Sequence, residues 1–170
     1  MNEEHQIIVD QVPHLRRYAR ALLGDKALAD DLVQECLTRA MDRLHLWRPG
    51  GNMRVWLMAI MHNLHINEAK RRSARPDQIS LAASHENLRS QAPGQDAPLL
   101  LRDMSNALNQ LPDEQRHVIL LIGLEGLEYA EAADVLDIPI GTVMSRLGCG
   151  RKKLREFLDA DGAPRLRSVK

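Results

Sequence analysis

The sequence predicts an all-α protein: two small helical domains joined by a flexible linker, the second containing a helix-turn-helix. Three observations predict it. Apolar residues recur at steps of three and four along most of the chain, the spacing of one helix face. Strand-like alternation is absent, and aromatic residues make up only 3% of the chain. Between Ser73 and Pro98 the periodicity stops in a run of Ser, Ala, Gln and three prolines, which reads as a linker. The expected units are therefore 1–72 and 99–160, with a linker at 73–98 and a loose tail at 161–170.

The first helix is expected over Glu4 to Leu23, burying Val12, Leu15, Tyr18, Ala19 and Leu22. Pro13 either starts its main part or kinks it. Gly24 ends it and Asp25 caps the next, from Lys26 to Leu44. There Leu32, Val33, Cys36, Leu37, Ala40, Met41 and Leu44 form an apolar stripe, which makes Cys36 a core residue rather than a reactive thiol. Asp30, Asp31, Gln34 and Glu35 lie toward the start of this helix, where a helix N-terminus favours acids. Trp47 to Asn52 is a loop, and Asn52 caps a third helix from Met53 to about Arg72. Its first half is apolar nearly all round. Its second half carries His62, Asn63, His65, Asn67, Glu68, Lys70, Arg71 and Arg72, a face suited to phosphate and base contacts. His62, His65 and Glu68 also invite a metal reading, but no fourth ligand is near in sequence, and neither a metal nor any other cofactor is expected.

After the linker, Leu100, Leu101, Met104, Ala107, Leu108 and Leu111 form one stripe. Leu111-Pro112 breaks it and Asp113-Glu114 starts a new helix with Val118, Ile119, Leu121 and Ile122 as core. Tyr129 to Leu136 is a short helix. Asp137 to Gly141 then turns the chain, because Pro139 and Gly141 interrupt a helix, and Thr142 is the expected cap of the next one. In that last helix Val143, Leu147, Gly150, Leu154 and Leu158 share one face. Thr142, Ser145, Arg146, Cys149, Lys152 and Lys153 lie opposite, and Arg151 adds to the charge. From Gly141 to Arg155 there are five basic residues and no acid. An apolar back with a basic, hydroxyl-bearing front suits a recognition helix in a DNA major groove.

YAEAADVLDIPIGTVMSRL, at Tyr129 to Leu147, resembles the DNA-binding fourth region of bacterial RNA polymerase sigma factors of the extracytoplasmic-function (ECF) group. Asp137 stands where Gly is common in that family. Two further stretches extend the resemblance in the same order. ALADDLVQECLTRAMDRL is similar to the segment that grips the clamp of core RNA polymerase, which makes Asp30, Asp31, Gln34 and Glu35 implied polymerase contacts. MRVWLMAIMHNLHINEAKRR is similar to the segment that reads and opens the minus-ten promoter element. Asn63 matches the family's common Asn and Arg71-Arg72 its terminal basic pair; His62 stands where Arg is common and Asn67 where Asp is common. The loop before this segment would hold a flipped base. Trp47 in that loop serves equally well as a packing anchor. The implied function is an alternative sigma factor that lends promoter specificity to core RNA polymerase and is not itself an enzyme. An anti-sigma protein is an implied partner; a small-molecule substrate is not.

Composition is compatible with this. The 23 basic and 23 acidic residues cancel, so positive charge is local: around Lys70 to Arg75 and from Arg146 to Arg155. Two cysteines make no disulfide framework. The opening residues are polar and acidic, and the longest apolar stretch, Val55 to Met61, is too short to span a bilayer, so a cytoplasmic location is expected. The competing reading is a sigma mimic that sequesters an anti-sigma protein without driving transcription; loss of basic residues on the last helix would mark it. A dimeric repressor would leave the first domain unexplained, and no nucleophile–base–orienter set supports a hydrolase. Cys149, among cations, is a candidate for oxidation, though a small residue that avoids a clash in the groove explains it more simply.

Overall fold

The computed structural model describes residues 3–74 and 99–160. The expected tail and all of the expected linker but Ser73 and Ala74 lie outside these residues; Ser73 still belongs to the third helix and Ala74 caps it. Seven α-helices follow in order: α1 (Glu3–Leu23), α2 (Lys26–Asp42), α3 (Met53–Ser73), α4 (Leu99–Gln110), α5 (Asp113–Ile119), α6 (Tyr129–Leu136) and α7 (Ile140–Ala160). A 3₁₀ turn at Leu44–Leu46 follows α2, and a π-turn at Leu120–Leu124 extends α5. Among the described residues there is no strand.

α1 runs without interruption through Pro13. Proline deprives the carbonyl four residues earlier of its donor. Here that residue is Val9, and both Val9 and Pro13 are exposed, so water can replace the lost donor. Asp25 caps α2, accepting from Leu28 N at 2.8 Å. Asn52 caps α3, its Oδ1 accepting from Arg54 N and Val55 N. Ile8, Leu15, Tyr18, Ala19, Leu22, Ala29, Val33, Cys36, Ala40, Leu57, Met58 and Met61 are buried between α1, α2 and α3. Cys36 is fully buried; its Sγ donates to Leu57 O, and burial pushes its thiol up to about 12.

In the second half the expected stripe on α4 is only partly buried. Leu100 and Leu101 are more than half exposed, and full burial begins only at Ala107 and Leu111. Gly150 permits the close approach of α7 to α5: a Cβ there would lie 2.7 Å from Ile119 Cδ1. Arg116 is buried and holds the end of α4, donating to the carbonyls of Leu108, Asn109 and Leu111 at 2.9–3.0 Å. These carbonyls lie at the helix end, where intrahelical donors run out.

The two halves also pack on each other. Val118, Leu120, Leu121, Leu127, Ala132, Val135, Val143 and Leu147 belong to the same continuous apolar cluster as the buried residues of α1, α2 and α3. That joint core was not expected from a reading of two domains on a linker.

Candidate nucleic-acid interface

α6 and α7 form the predicted helix-turn-helix, with a tighter turn than expected. Asp137 closes α6 in the left-handed region at φ 52°, ψ 49°, the conformation that glycine adopts most readily and Asp tolerates. α7 then starts at Ile140, ahead of Thr142. The carbonyl of Pro139 accepts from Thr142 N and Val143 N. Pro139 therefore opens the helix instead of blocking it, because its fixed φ suits a helix start. Thr142 is not the cap; it sits in the first turn, where its carbonyl accepts from Ser145 Oγ. At the front of α6, Glu131 folds back to accept from Glu128 N at 2.9 Å, half of a capping box.

α7 has the two faces its sequence suggests. Val143, Leu147 and Gly150 are buried, while Ser145, Cys149, Arg151 and Lys152 are exposed and Thr142, Arg146 and Lys153 are half-buried. Arg146 has an intramolecular partner, with its Nη2 3.3 Å from Glu114 Oε2. On α3, Asn63, Asn67, Lys70, Arg71 and Arg72 are exposed, and Arg72 pairs with Glu68 one turn earlier. On α2, Asp31, Gln34 and Glu35 are exposed; Glu35 pairs with Arg39, and Asp30 lies 3.9 Å from Arg20.

Asn52 and His62 are placed differently, at the junction of the two halves. Asn52 Nδ2 donates to Glu131 Oε1 of α6 at 2.8 Å. The His62 ring meets the His117 ring edge-on at 4.9 Å, and His65 lies 5.3 Å from the same ring. His117 is buried, and its Nδ1 is 3.1 Å from the Tyr18 hydroxyl. Burial, then the neighbouring rings and the charges of Arg116 and Arg146, lower His117 to about 2. Burial and His65 lower His62 to about 4. Three imidazoles thus gather where the sequence placed two. Even so, among the described residues no group of three His, Cys, Asp or Glu is arranged to hold a metal.

No motif or spacing marks Glu125. Its side chain is fully buried. Arg17 donates to it through Nε and Nη2, at 2.9 and 3.0 Å. His14 Nδ1 lies 3.2 Å from its Oε2, and Arg54 Nη1 reaches its carbonyl at 3.5 Å. With its proton on Nδ1, His14 donates to Glu125 while its Nε2 accepts from Arg54 Nη2. Beside this cluster a cavity of about 540 Å³ is lined by Gln11, Trp47, Asn52, Arg54, Leu127 and Glu131, among others. Trp47 packs against the core, as an anchor would, and its buried indole N–H has no partner.

Comparison with known proteins fits this geometry. Residues 8–62 match the family described as the Sigma2 domain of PhyR, and residues 101–154 match Sigma-70, region 4. The ECF RNA polymerase sigma factor EcfG of Rhodopseudomonas palustris is 37% identical over 92% of this chain and 85% of its own. The sigma factor RpoE of Bartonella quintana, solved with the anti-sigma factor NepR, superposes with a TM-score of 0.74 at 31% identity, covering 92% of this chain and 97% of that one. CnrH, solved with the cytosolic domain of CnrY, superposes at 0.65 with 26% identity over 93% and 88%. The chain belongs to the ECF RNA polymerase sigma factors.

Proposed function

We propose that this chain is an alternative sigma factor that binds core RNA polymerase and directs promoter-specific initiation. The carrying observation is that both sigma regions are matched in order within one chain, the second presenting the basic front of α7. Residues 1–72 would bind the polymerase clamp through Asp30, Asp31, Gln34 and Glu35. The same unit would open the minus-ten element with Asn52, His62, Asn63, Asn67, Lys70, Arg71 and Arg72. Residues 99–160 would read the minus-thirty-five element through Thr142, Ser145, Arg146, Cys149, Arg151, Lys152 and Lys153. Phosphate contacts supply salt-dependent affinity and base-edge contacts select sequence.

The chain has no chemistry of its own in this reading; the polymerase forms the phosphodiester bonds. An anti-sigma protein is the proposed regulator, as the NepR complex of the Bartonella relative suggests. Among the described residues no helix is long and apolar enough to cross a membrane, and we place the protein in the cytoplasm with its polymerase.

The match to the PhyR domain favours a second reading, a mimic that sequesters an anti-sigma protein. Against it, Arg146, Arg151, Lys152 and Lys153 are all present on α7. In-vitro transcription with core RNA polymerase on a promoter library separates the two. Specific transcripts are expected; their absence, together with tight capture of an anti-sigma protein, would favour the mimic.

A further inference from the structure

The front of α7 carries Arg146, Arg151, Lys152 and Lys153, and the first of these is held differently from the rest. Among the described residues, Arg151, Lys152 and Lys153 have no acidic partner, whereas Arg146 Nη2 lies 3.3 Å from Glu114 Oε2. No acid occurs between Gly141 and Arg155, so this carboxylate reaches the basic front from another helix. Glu114 stands in the first turn of α5, where an acid suits the helix N-terminus. Packing fixes its place beside Arg146. Gln115 and Ile119 of α5 meet α7 at Gly150, one turn beyond Arg146. Arg146 is also near enough to the buried His117, one turn beyond Glu114, for its charge to help lower that imidazole's pKa. The guanidinium therefore lies over one turn of α5.

As a stabilising contact the pair is weak. The Glu114 side chain is 70% exposed, and exposed pairs contribute little. For general DNA affinity it is counterproductive, since a carboxylate repels phosphates and occupies a cation that could neutralise one. What the pair supplies is direction. A free arginine samples many rotamers, and fixing one of them on binding costs entropy. Tethering Nη2 to a packed helix leaves the other donors of the planar fork to meet the two acceptors of a guanine edge, a contact that demands alignment.

We propose that Glu114 is a positioning residue for base readout. Its carboxylate aims the Arg146 guanidinium at a base edge of the minus-thirty-five element while lowering affinity for DNA in general. Arg151, Lys152 and Lys153 serve the phosphates. The inference rests on the base-reading role proposed above for Arg146.

The experiment uses holoenzyme assembled from core RNA polymerase and the full chain. Its ligands are a promoter fragment recovered from the transcription library and the single-base variants of that fragment's minus-thirty-five element. Glu114→Gln removes the charge and keeps an acceptor oxygen; Glu114→Ala removes both. Both variants should bind mismatched fragments more tightly, by about threefold, because a repelling charge is gone. Glu114→Ala should also lose selectivity. The preference at the base pair that Arg146→Ala affects should fall by about threefold or more, while Glu114→Gln keeps most of it. Combining Glu114→Ala with Arg146→Ala should cost no more selectivity there than Arg146→Ala alone. A merely structural contact would weaken every fragment alike. In the free chain, relaxation of the Arg146 Nε–H signal should report a rigid group in wild type and a mobile one in Glu114→Ala. Equal mobility would overturn the tether. Undiminished selectivity in Glu114→Ala, with Arg146→Ala still losing its base pair, would overturn the positioning role alone. If Arg146→Ala changes all fragments alike, base reading by Arg146 fails and the positioning role falls with it. A library that yields no promoter would overturn the sigma reading, and the readout role with it.

Discussion

Arg116 and Arg146 are both paired arginines of the second domain, with opposite consequences. Arg116 is almost wholly buried, and its guanidinium satisfies carbonyls at the end of α4. Arg116→Met keeps the volume and orphans those carbonyls, so it should cost about 3 kcal/mol in urea unfolding. A loss under about 0.5 kcal/mol would mean that water replaces the guanidinium. Arg146 is half-buried and pairs with the well-exposed Glu114, a contact that contributes little to stability. Arg146→Ala should leave the fold intact and lose discrimination at one upstream base pair, about 1–3 kcal/mol. Lys153→Ala should instead weaken all sequences alike and flatten the salt dependence. Binding arrays over single-base variants of a promoter would compare the two; a uniform loss in Arg146→Ala would contradict base reading.

The helices of the second domain set a sharp contrast between two glycines of α7. A Cβ at Gly150 would crowd Ile119 Cδ1 at 2.7 Å and Gln115 Cβ at 3.3 Å, whereas Gly148 has nothing within 4 Å. Alanine gains helix propensity at both positions, about 0.5–1 kcal/mol. At Gly150 the overpacking cost, about 1–3 kcal/mol, outweighs it. Gly148→Ala should therefore raise the melting temperature and Gly150→Ala lower it. Two shifts of the same sign would show that α5 can yield. In the first domain, Asp31 and Glu35 are exposed on α2, outside the core. Reversing both charges should weaken assembly with core polymerase and leave thermal unfolding within about 0.5 kcal/mol of wild type. Undiminished assembly would remove α2 from the proposed polymerase surface.

The whole molecule carries a pH dependence in its junction. His62 and His117 titrate near 6.5 in water but are lowered to about 4 and about 2 in the packed structure. The packed state thus binds fewer protons than the opened chain below pH 6.5. Its stability is fully present above that pH and falls as the pH drops, by about 1.4 kcal/mol per pH unit for each histidine. The groups facing the cluster are His65, Tyr18, Arg116 and Arg146, and the two cations act in the same direction. Urea midpoints between pH 7.5 and 5.5 should decline, and His117→Gln should flatten the decline by about half. A wild-type midpoint independent of pH over this range would show that the imidazoles are solvated.

Whatever follows from local physics is legible in the residues alone. The apolar periods placed the helices, Asp25 and Asn52 were identified as caps and act as caps, and the buried and exposed faces of α7 followed from steps of three and four. Local chemistry misplaces the helix start: Pro139 reads as a breaker, yet its fixed φ also suits the start of a helix. Features that depend on partners distant in the chain emerge only from the packing. His117 sits in an apolar run and Glu125 in a loop, and neither spacing nor composition marks them. Their roles arise because α1 and α3 bring Tyr18, His62, Arg17 and His14 to them across the fold. The same holds for Leu100 and Leu101, whose period reads as core although the packing leaves them exposed. A period says that a face can be buried; a neighbour is needed to bury it.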